Sequence, residues 1–141
     1  MNVDSIERGV VIDHIGAGRG MEIVHLLGLE KLTCPVAVIR NARSSKSGKK
    51  DIIKIEDEVD INLDVLGFID PRITVNIIMG GRIVEKKRIA PPRRVEGVVR
   101  CRNPRCITST ERNLVHVFRR ENDTDVYRCG YCEQEYQPLE K

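Results

Sequence analysis

The first two thirds of the chain consist of short apolar runs separated by polar stretches. Continuous or alternating apolar runs are typical of β-strands, whereas apolar residues at positions i, i+3 and i+4 are typical of amphipathic helices. The order that results is β-α-β-β-α-β-β. Strands are predicted over residues 9–15, 36–40, 51–56, 73–78 and 82–85, and helices over 20–29 and 58–69.

Glycine and proline mark the ends of these elements. Gly28 is expected to end the first helix, and the pair Asp70-Pro71 the second. Gly80 and Gly81 predict a hairpin turn, because glycine accepts positive φ. Residues 41–50 are polar and rich in lysine, and we expect a basic loop between two strands there.

The element order predicts an α+β fold class. Two helices packed on one face of a mainly antiparallel sheet give a ferredoxin-like arrangement, here with one added strand. The adjacent prolines at 91 and 92 favour an extended connector, because proline has no N–H to donate to a strand ladder. We therefore predict two domains, residues 1–92 and residues 93–141.

Composition narrows the class of protein. The 141 residues are 40% hydrophobic and carry a formal net charge of only +3, which suits packed domains and excludes wholesale disorder. Apolar runs are much shorter than the roughly 20 residues that a membrane span needs, and the acidic N-terminus does not resemble a signal peptide. A soluble, cytoplasmic protein without a membrane partner is expected.

Four of the five cysteines lie in the second domain, as C-x4-C and, 22 residues later, C-x2-C. Two such pairs provide the four thiolates that tetrahedral Zn²⁺ prefers, and four protein ligands leave no open position for catalysis. We predict one structural Zn²⁺ per chain, which stabilises a small all-β domain. The predicted ligands are Cys101, Cys106, Cys129 and Cys132.

Other interpretations of these residues stay open. The thiols could be coincidental or could hold an iron–sulfur cluster. His116 fits a strand better than a fifth ligand position, and Cys34 is expected to be a small, partly buried residue. The sequence has no phosphate-binding loop, dinucleotide fingerprint or nucleophile elbow, so enzymatic activity is not favoured. A recognition module remains, either a zinc-ribbon nucleic-acid binder or a component of a protein assembly.

Several segments together resemble the aspartate carbamoyltransferase regulatory chain family. These are residues 8–15 (RGVVIDHI), 50–56 (KDIIKIE) and 74–76 (TVN), followed by the four-cysteine pattern with Tyr131 and Glu133. They occur in the family's order over nearly the whole chain. The resemblance implies an N-terminal nucleotide-binding domain, a C-terminal zinc domain that docks on a separate catalytic chain, and no catalysis by this chain.

The resemblance also implies site residues. CTP and ATP are the implied effectors, with UTP as a further candidate, and feedback control of pyrimidine biosynthesis by a regulatory dimer is the implied role, without a nucleic-acid partner. The effector pocket would use Val11, Asp13, His14, Lys54, Asn76, Ile78, Ile83 and Lys86. The partner interface would use Asn103, Tyr131 and Glu133. From the residues alone, Lys54 and Lys86 are better explained as solvated strand lysines, because exposed lysines are common on strands.

Overall fold

A computed structural model describes residues 5–45 and 48–136 of the chain. The chain divides into two compact units, Met1–Ala90 and Pro91–Lys141. The sequence places the boundary two residues later, after Pro92. Each unit has its own sheet and its own buried residues. In the described ranges, no helix is both long and apolar enough to cross a membrane.

The N-terminal unit contains a five-stranded antiparallel sheet with the order β2-β3-β1-β4-β5. Its strands are β1 (Gly9–Gly16), β2 (Val36–Ser44), β3 (Gly48–Ile55), β4 (Thr74–Met79) and β5 (Arg82–Arg88). Its helices are α1 (Gly20–Leu26) and α2 (Leu63–Ile69), with a 3₁₀ turn at Leu29–Lys31. The predicted ferredoxin-like arrangement is confirmed, and β5 is the added strand at one edge.

Alternation along the central strands separates the two faces of this sheet. Val10, Ile12, Ile53, Ile55 and Val75 are buried in one core together with residues of both helices, among them Ile23 of α1 and Leu66 of α2. The residues between them, such as Val11 and Lys54, point to the opposite face and are only partly buried. Both helices therefore pack on one face of the sheet and leave the other face open within this unit.

Several boundaries differ from the prediction. Helix α2 begins at Leu63 rather than near residue 58, because the side chain of Asn62 accepts hydrogen bonds from the N–H groups of Asp64 and Val65 and so caps the helix. Helix α1 ends at Leu26, and Gly28 follows with a φ of 67°. Strands β2 and β3 extend into most of the stretch predicted as a loop, and residues 46–47 lie outside the described ranges.

A buried carboxylate connects β3 to two other segments. Asp51 is 0% exposed, and its side chain accepts hydrogen bonds from the backbone N–H groups of Gly18, Gly20 and Asn41 at 3.2, 2.9 and 3.0 Å. A Cβ at Gly20 would lie only 2.8 Å from Asp51 Oδ2. Asp51 thus joins β3 to the turn between β1 and α1 and to the irregular position in β2.

The C-terminal unit contains a three-stranded antiparallel sheet, β6-β7-β8, formed by Arg94–Glu96, Val117–Arg120 and Tyr127–Cys129. The small β domain is confirmed, with one four-residue helix, α3 (Ile107–Thr110), that the sequence analysis did not predict. The sequence has strand-like apolar patterns over residues 113–118 and 124–128, and the strands begin only near the end of each, at Val117 and Tyr127. Strand β6 was missed because its three residues include one apolar side chain, Val95.

Candidate functional site

The four cysteines of the C-terminal unit converge on one point. Their sulfur atoms all lie within 4.8 Å of one another. The Sγ atoms of Cys101 and Cys132 are 3.6 Å apart, and those of Cys106 and Cys129 are 3.8 Å apart. Four sulfurs at about 2.3 Å from a central ion in tetrahedral geometry would be about 3.8 Å apart. The donor set and its spacing therefore fit one tetrahedral metal ion.

Hydrogen bonds from the two knuckles orient the sulfurs. Cys106 precedes α3, and the hydroxyl of Thr108 in that helix donates to Cys106 Sγ at 3.0 Å. Cys129 ends β8, and the N–H of Tyr131 donates to Cys129 Sγ at 3.4 Å. Donors to ligating sulfurs fix the ligands in position and stabilise thiolate charge. The first knuckle thus depends on a helix that has a single turn.

In the metal-free chain, the local environment gives the cysteine thiols different pKa values. Burial raises the pKa of Cys101 to about 12, and burial also raises the pKa of Cys129. For Cys132, burial opposes ionisation, but hydrogen bonds from the Asn103 side chain, the Gln134 backbone and the neighbouring thiols lower the pKa to about 7. A metal ion must therefore displace protons from this cluster when it binds.

Two further residues considered in the sequence analysis lie outside the ligand set. His116 Nδ1 accepts a hydrogen bond from the backbone N–H of Cys101 at 3.0 Å, so this ring nitrogen supports the first knuckle. Cys34 is half-buried against the core of the N-terminal unit.

The open face of the N-terminal sheet brings together residues from four strands. The register places Lys54 of β3 opposite Val11 of β1, Val11 opposite Asn76 of β4, and Asn76 opposite Lys86 of β5. Residues that are directly opposite on neighbouring strands share one face of a sheet. Four of the eight predicted effector residues therefore form one row across the sheet, which we call the Lys54–Lys86 row. Nothing in their sequence separation indicates that row.

Two more predicted residues lie one step along the same face, at an irregularity in β1. Asp13 Oδ1 lies 3.0 Å from the Nζ of Lys50, and both side chains are less than one fifth exposed. His14 has a φ of 59°, and its Nδ1 is 2.9 Å from the hydroxyl of Thr74. The register of β1 with β3 shifts between Ile12 and Ile15, and such a shift changes the direction in which the side chains of Asp13 and His14 point.

The remaining predicted residues, Ile78 and Ile83, are directly opposite each other on β4 and β5. Ile78 is buried, whereas Ile83 is half exposed. In the same part of the face, Asn76 Oδ1 is buried and has no hydrogen-bond partner within the described ranges. Buried amide oxygens are rarely left unpaired, so this atom indicates a place for a donor from outside the described residues.

Comparison with known proteins gives one family match for the N-terminal unit and one for the C-terminal unit. Residues 1–90 match the family described as aspartate carbamoyltransferase regulatory chain, allosteric domain, and residues 93–140 match its metal binding domain. The chain belongs to the aspartate carbamoyltransferase regulatory chain family. The recognition made from the motifs is thereby confirmed, and the chain is a regulatory rather than a catalytic one.

Curated members of this family are similar over nearly the full length. The chain of Clostridium tetani is 48% identical over 143 residues, which cover 100% of this chain and 99% of the relative. That of Clostridium botulinum strain Hall is 48% identical over 137 residues, 96% and 94% of the two chains. That of Bifidobacterium longum is 43% identical over 136 residues, 96% and 98%.

Within the regulatory-chain fold, register reveals cations that sequence reasoning missed. Lys50 lies on the same face as Lys54 and pairs with Asp13. Arg88 is opposite Thr74 and two residues beyond Lys86, so it also lies on this face. The alternation of β3 would have indicated Lys50, had the strand been predicted to begin before residue 51.

The residues proposed for the partner interface of the regulatory chain have different surroundings. Asn103 accepts a hydrogen bond from Arg105 N–H through Oδ1, and its side chain also contacts the Cys132 thiol, so Asn103 is part of the metal knuckle. Tyr131 is 43% exposed and donates its hydroxyl to Val115 O. Glu133 is exposed and has a φ of 63°.

Proposed function

We propose that this chain is a nucleotide-responsive regulatory subunit of aspartate carbamoyltransferase. In this proposal, CTP- and ATP-type nucleotides, with UTP as a further candidate, bind the open sheet face of residues 1–92. Residues 93–141 hold one structural Zn²⁺ and dock on a separate catalytic chain. Effector binding would thereby control pyrimidine biosynthesis. The Lys54–Lys86 row is the observation that carries the effector site.

The charge on this face suits a polyanionic ligand. Lys54 and Lys86 are three strand spacings apart, which is about 14 Å between backbones. Their ammonium groups therefore meet different parts of an extended nucleotide. Lys50 and Arg88 add two cations near Asp13. Lysine and arginine can neutralise a triphosphate without a glycine-rich loop, which agrees with the absence of such a loop in the sequence.

Hydrogen-bonding and apolar groups on the face can orient the rest of a nucleotide. Asp13 accepts from Lys50 Nζ and from its neighbour's backbone N–H, and an ionised carboxylate has about four lone-pair positions, so capacity remains for a ribose hydroxyl. Asn76 Oδ1, which has no partner among the residues that the structure describes, can accept a hydrogen bond, or the amide can turn and offer its NH₂ to a phosphate. Ile78 and Ile83 provide an apolar surface for a base.

Adjacent lysines on β5 provide a matched test of the effector site. Lys86 is opposite Asn76 on the open face, whereas Lys87 is opposite Val75 on the helix-covered face. CTP and ATP are titrated into the chain by calorimetry. Lys54→Ala and Lys86→Ala should each weaken binding about tenfold, while Lys87→Ala, with the same change in charge, should stay within twofold. Unchanged affinity in Lys54→Ala contradicts the pocket assignment.

The metal in this proposal is Zn²⁺, which supplies tetrahedral thiolate bonds that stabilise the small unit. Four cysteine ligands complete its coordination, so no position is left for substrate. Measuring metal per chain after purification without added metal should give one zinc. Cys129→Ala should lose that zinc together with the fold of the C-terminal unit and its partner binding. A folded, binding-competent Cys129→Ala chain would argue against a structural zinc.

Charge on the outer face of the C-terminal sheet supports docking on an acidic protein surface. Arg94, Arg119 and Arg128 are directly opposite one another across β6, β7 and β8, and Arg119 in the centre is exposed. Arg94 and Arg128 form ion pairs with Glu96 and Glu121, whereas Arg119 has no ion pair within the described residues, so Arg119 is the cation of this row that an anionic partner would meet. Val115 and Tyr131, close to this unit's second knuckle, are both exposed, and the Tyr131 hydroxyl donates a hydrogen bond to Val115 O. Their side chains together offer an apolar contact surface to a partner.

A binding experiment separates the catalytic chain from nucleic acid as the partner. The whole chain is immobilised and offered the catalytic carbamoyltransferase chain or a mixed-sequence RNA at two salt concentrations. Capture of the catalytic chain, reduced by Arg119→Glu, supports the proposal. Capture of RNA that falls steeply as the salt concentration rises, without capture of the catalytic chain, would instead support a zinc-ribbon nucleic-acid binder.

Sedimentation of the isolated chain tests whether it forms the proposed regulatory dimer.

A further inference from the structure

The backbone that follows the junction of the two units is held at consecutive carbonyl groups. The units meet between Ala90 and Pro91. The hydroxyl of Tyr127 donates to Pro92 O at 2.5 Å, and the N–H of Arg120 donates to Arg93 O at 2.8 Å. Strand β6 begins at the next residue and pairs with β7. From Pro92 onward, the connector is therefore bound to the C-terminal unit.

Tyr127 is well placed to fix this connector. Proline has no backbone N–H, so the carbonyl is the remaining main-chain group through which Pro92 can be held. Tyr127 is 5% exposed on β8, and its own carbonyl accepts from Tyr136 N–H at 2.7 Å. It lies on the same strand face as Cys129, two residues further along. The phenol thus joins the connector to the strand that supplies a metal ligand.

We propose that the Tyr127 hydroxyl is a clamp that lets a change in the N-terminal unit act on the metal-binding unit. This inference rests on the proposed regulatory function. Without the clamp, both Pro91 and Pro92 would lie between Ala90 and the next held carbonyl, that of Arg93, and this longer segment could take up part of a displacement. With the clamp, only Pro91 separates Ala90 from the first held carbonyl, so a displacement at Ala90 reaches β6 and β8 through a single residue. Tyr127 is accordingly a positioning residue for regulation and does not contact the nucleotide.

The test uses the chain assembled with the catalytic chain. Tyr127→Phe keeps the buried ring and removes only the hydroxyl. The aspartate concentration for half-maximal activity is measured with and without CTP or ATP. Tyr127→Phe should reduce the effector-induced shift at least twofold, while nucleotide affinity stays within twofold and one metal is retained. The control is Tyr136→Phe, because it removes the hydroxyl of another tyrosine in the same unit and keeps the aromatic ring against Phe118.

A second variant keeps the proposal testable if Tyr127→Phe impairs folding. Two glycines inserted between Ala90 and Pro91 lengthen the connector without changing either unit. This insertion should also weaken the effector response, and adding Tyr127→Phe to it should have little further effect. A full response in Tyr127→Phe or in the insertion variant overturns the clamp alone. A wild-type assembly that binds nucleotide without any shift overturns the proposed function as well.

Discussion

The Nζ of Lys50 lies 3.0 Å from Oδ1 of Asp13, across the irregular pairing of β1 with β3. Lysine at this position balances a carboxylate that faces the proposed triphosphate site. The pair is partly buried, with side chains 18% and 19% exposed, so solvent screens it less than a surface pair. Any change in this pair should therefore appear in nucleotide affinity.

Replacing Lys50 by Met should weaken CTP binding about 5- to 30-fold. The change removes a cation and leaves Asp13 as an unbalanced negative charge on the face that receives phosphates, and charged hydrogen bonds contribute about 1–2 kcal/mol when partly exposed. Lys49→Met is the matched control, because Lys49 alternates to the other face of β3. Calorimetric titration measures both. Equal affinities for the two variants would count against Lys50 as part of the site.

Gly20→Ala should destabilise the N-terminal unit by about 1–2 kcal/mol. Alanine favours a helix over glycine by up to about 1 kcal/mol, but Gly20 is the first residue of α1, and the new Cβ would lie 2.8 Å from Asp51 Oδ2. At Gly16, on the other side of the same turn, a Cβ would meet ordinary contacts of 3.5 Å or more. Denaturant unfolding of Gly20→Ala and Gly16→Ala distinguishes them; equal stability would mean that the turn relaxes without cost.

Patterns that are local in sequence predicted most of the fold. The alternation around Val10 and Ile12 and the spacing of Ile23 with Leu26 are properties of single elements. The spacing within the two cysteine pairs is likewise local, and it predicts a metal site with four thiolate ligands. The burial of Asp51 depends on contacts with Gly18 and Gly20, 33 and 31 residues away, so no local pattern could indicate it. The same holds for the Lys54–Lys86 row, because a row depends on the register of four strands.

Metal binding should become tighter as pH rises. The raised pKa of Cys101, about 12, and the raised pKa of Cys129 keep both thiols protonated at neutral pH in the metal-free chain, while Cys132, with a pKa of about 7, is partly ionised. Zinc binds thiolates, so protons must leave, and lowering the pH restores competition from them. Calorimetry in buffers of different ionisation enthalpy should show release of two or more protons per zinc at pH 7, because the thiols of Cys101 and Cys129 both lose theirs. A pH-independent affinity would contradict thiolate ligation.

Thr108→Val should weaken zinc binding about tenfold without unfolding the metal-bound chain. The Thr108 hydroxyl is buried and donates to Cys106 Sγ at 3.0 Å, and loss of a partner that orients a metal ligand commonly costs about 10- to 100-fold in affinity. Valine has nearly the same shape, so the packing around α3 is retained. Thr110→Val is the control, since its exposed hydroxyl donates to Ile107 O on the same short helix and is not hydrogen-bonded to a sulfur. Competition with a chromophoric chelator gives both affinities. If Thr108→Val and Thr110→Val bind zinc equally, the Thr108 hydroxyl has no part in holding Cys106 toward the metal.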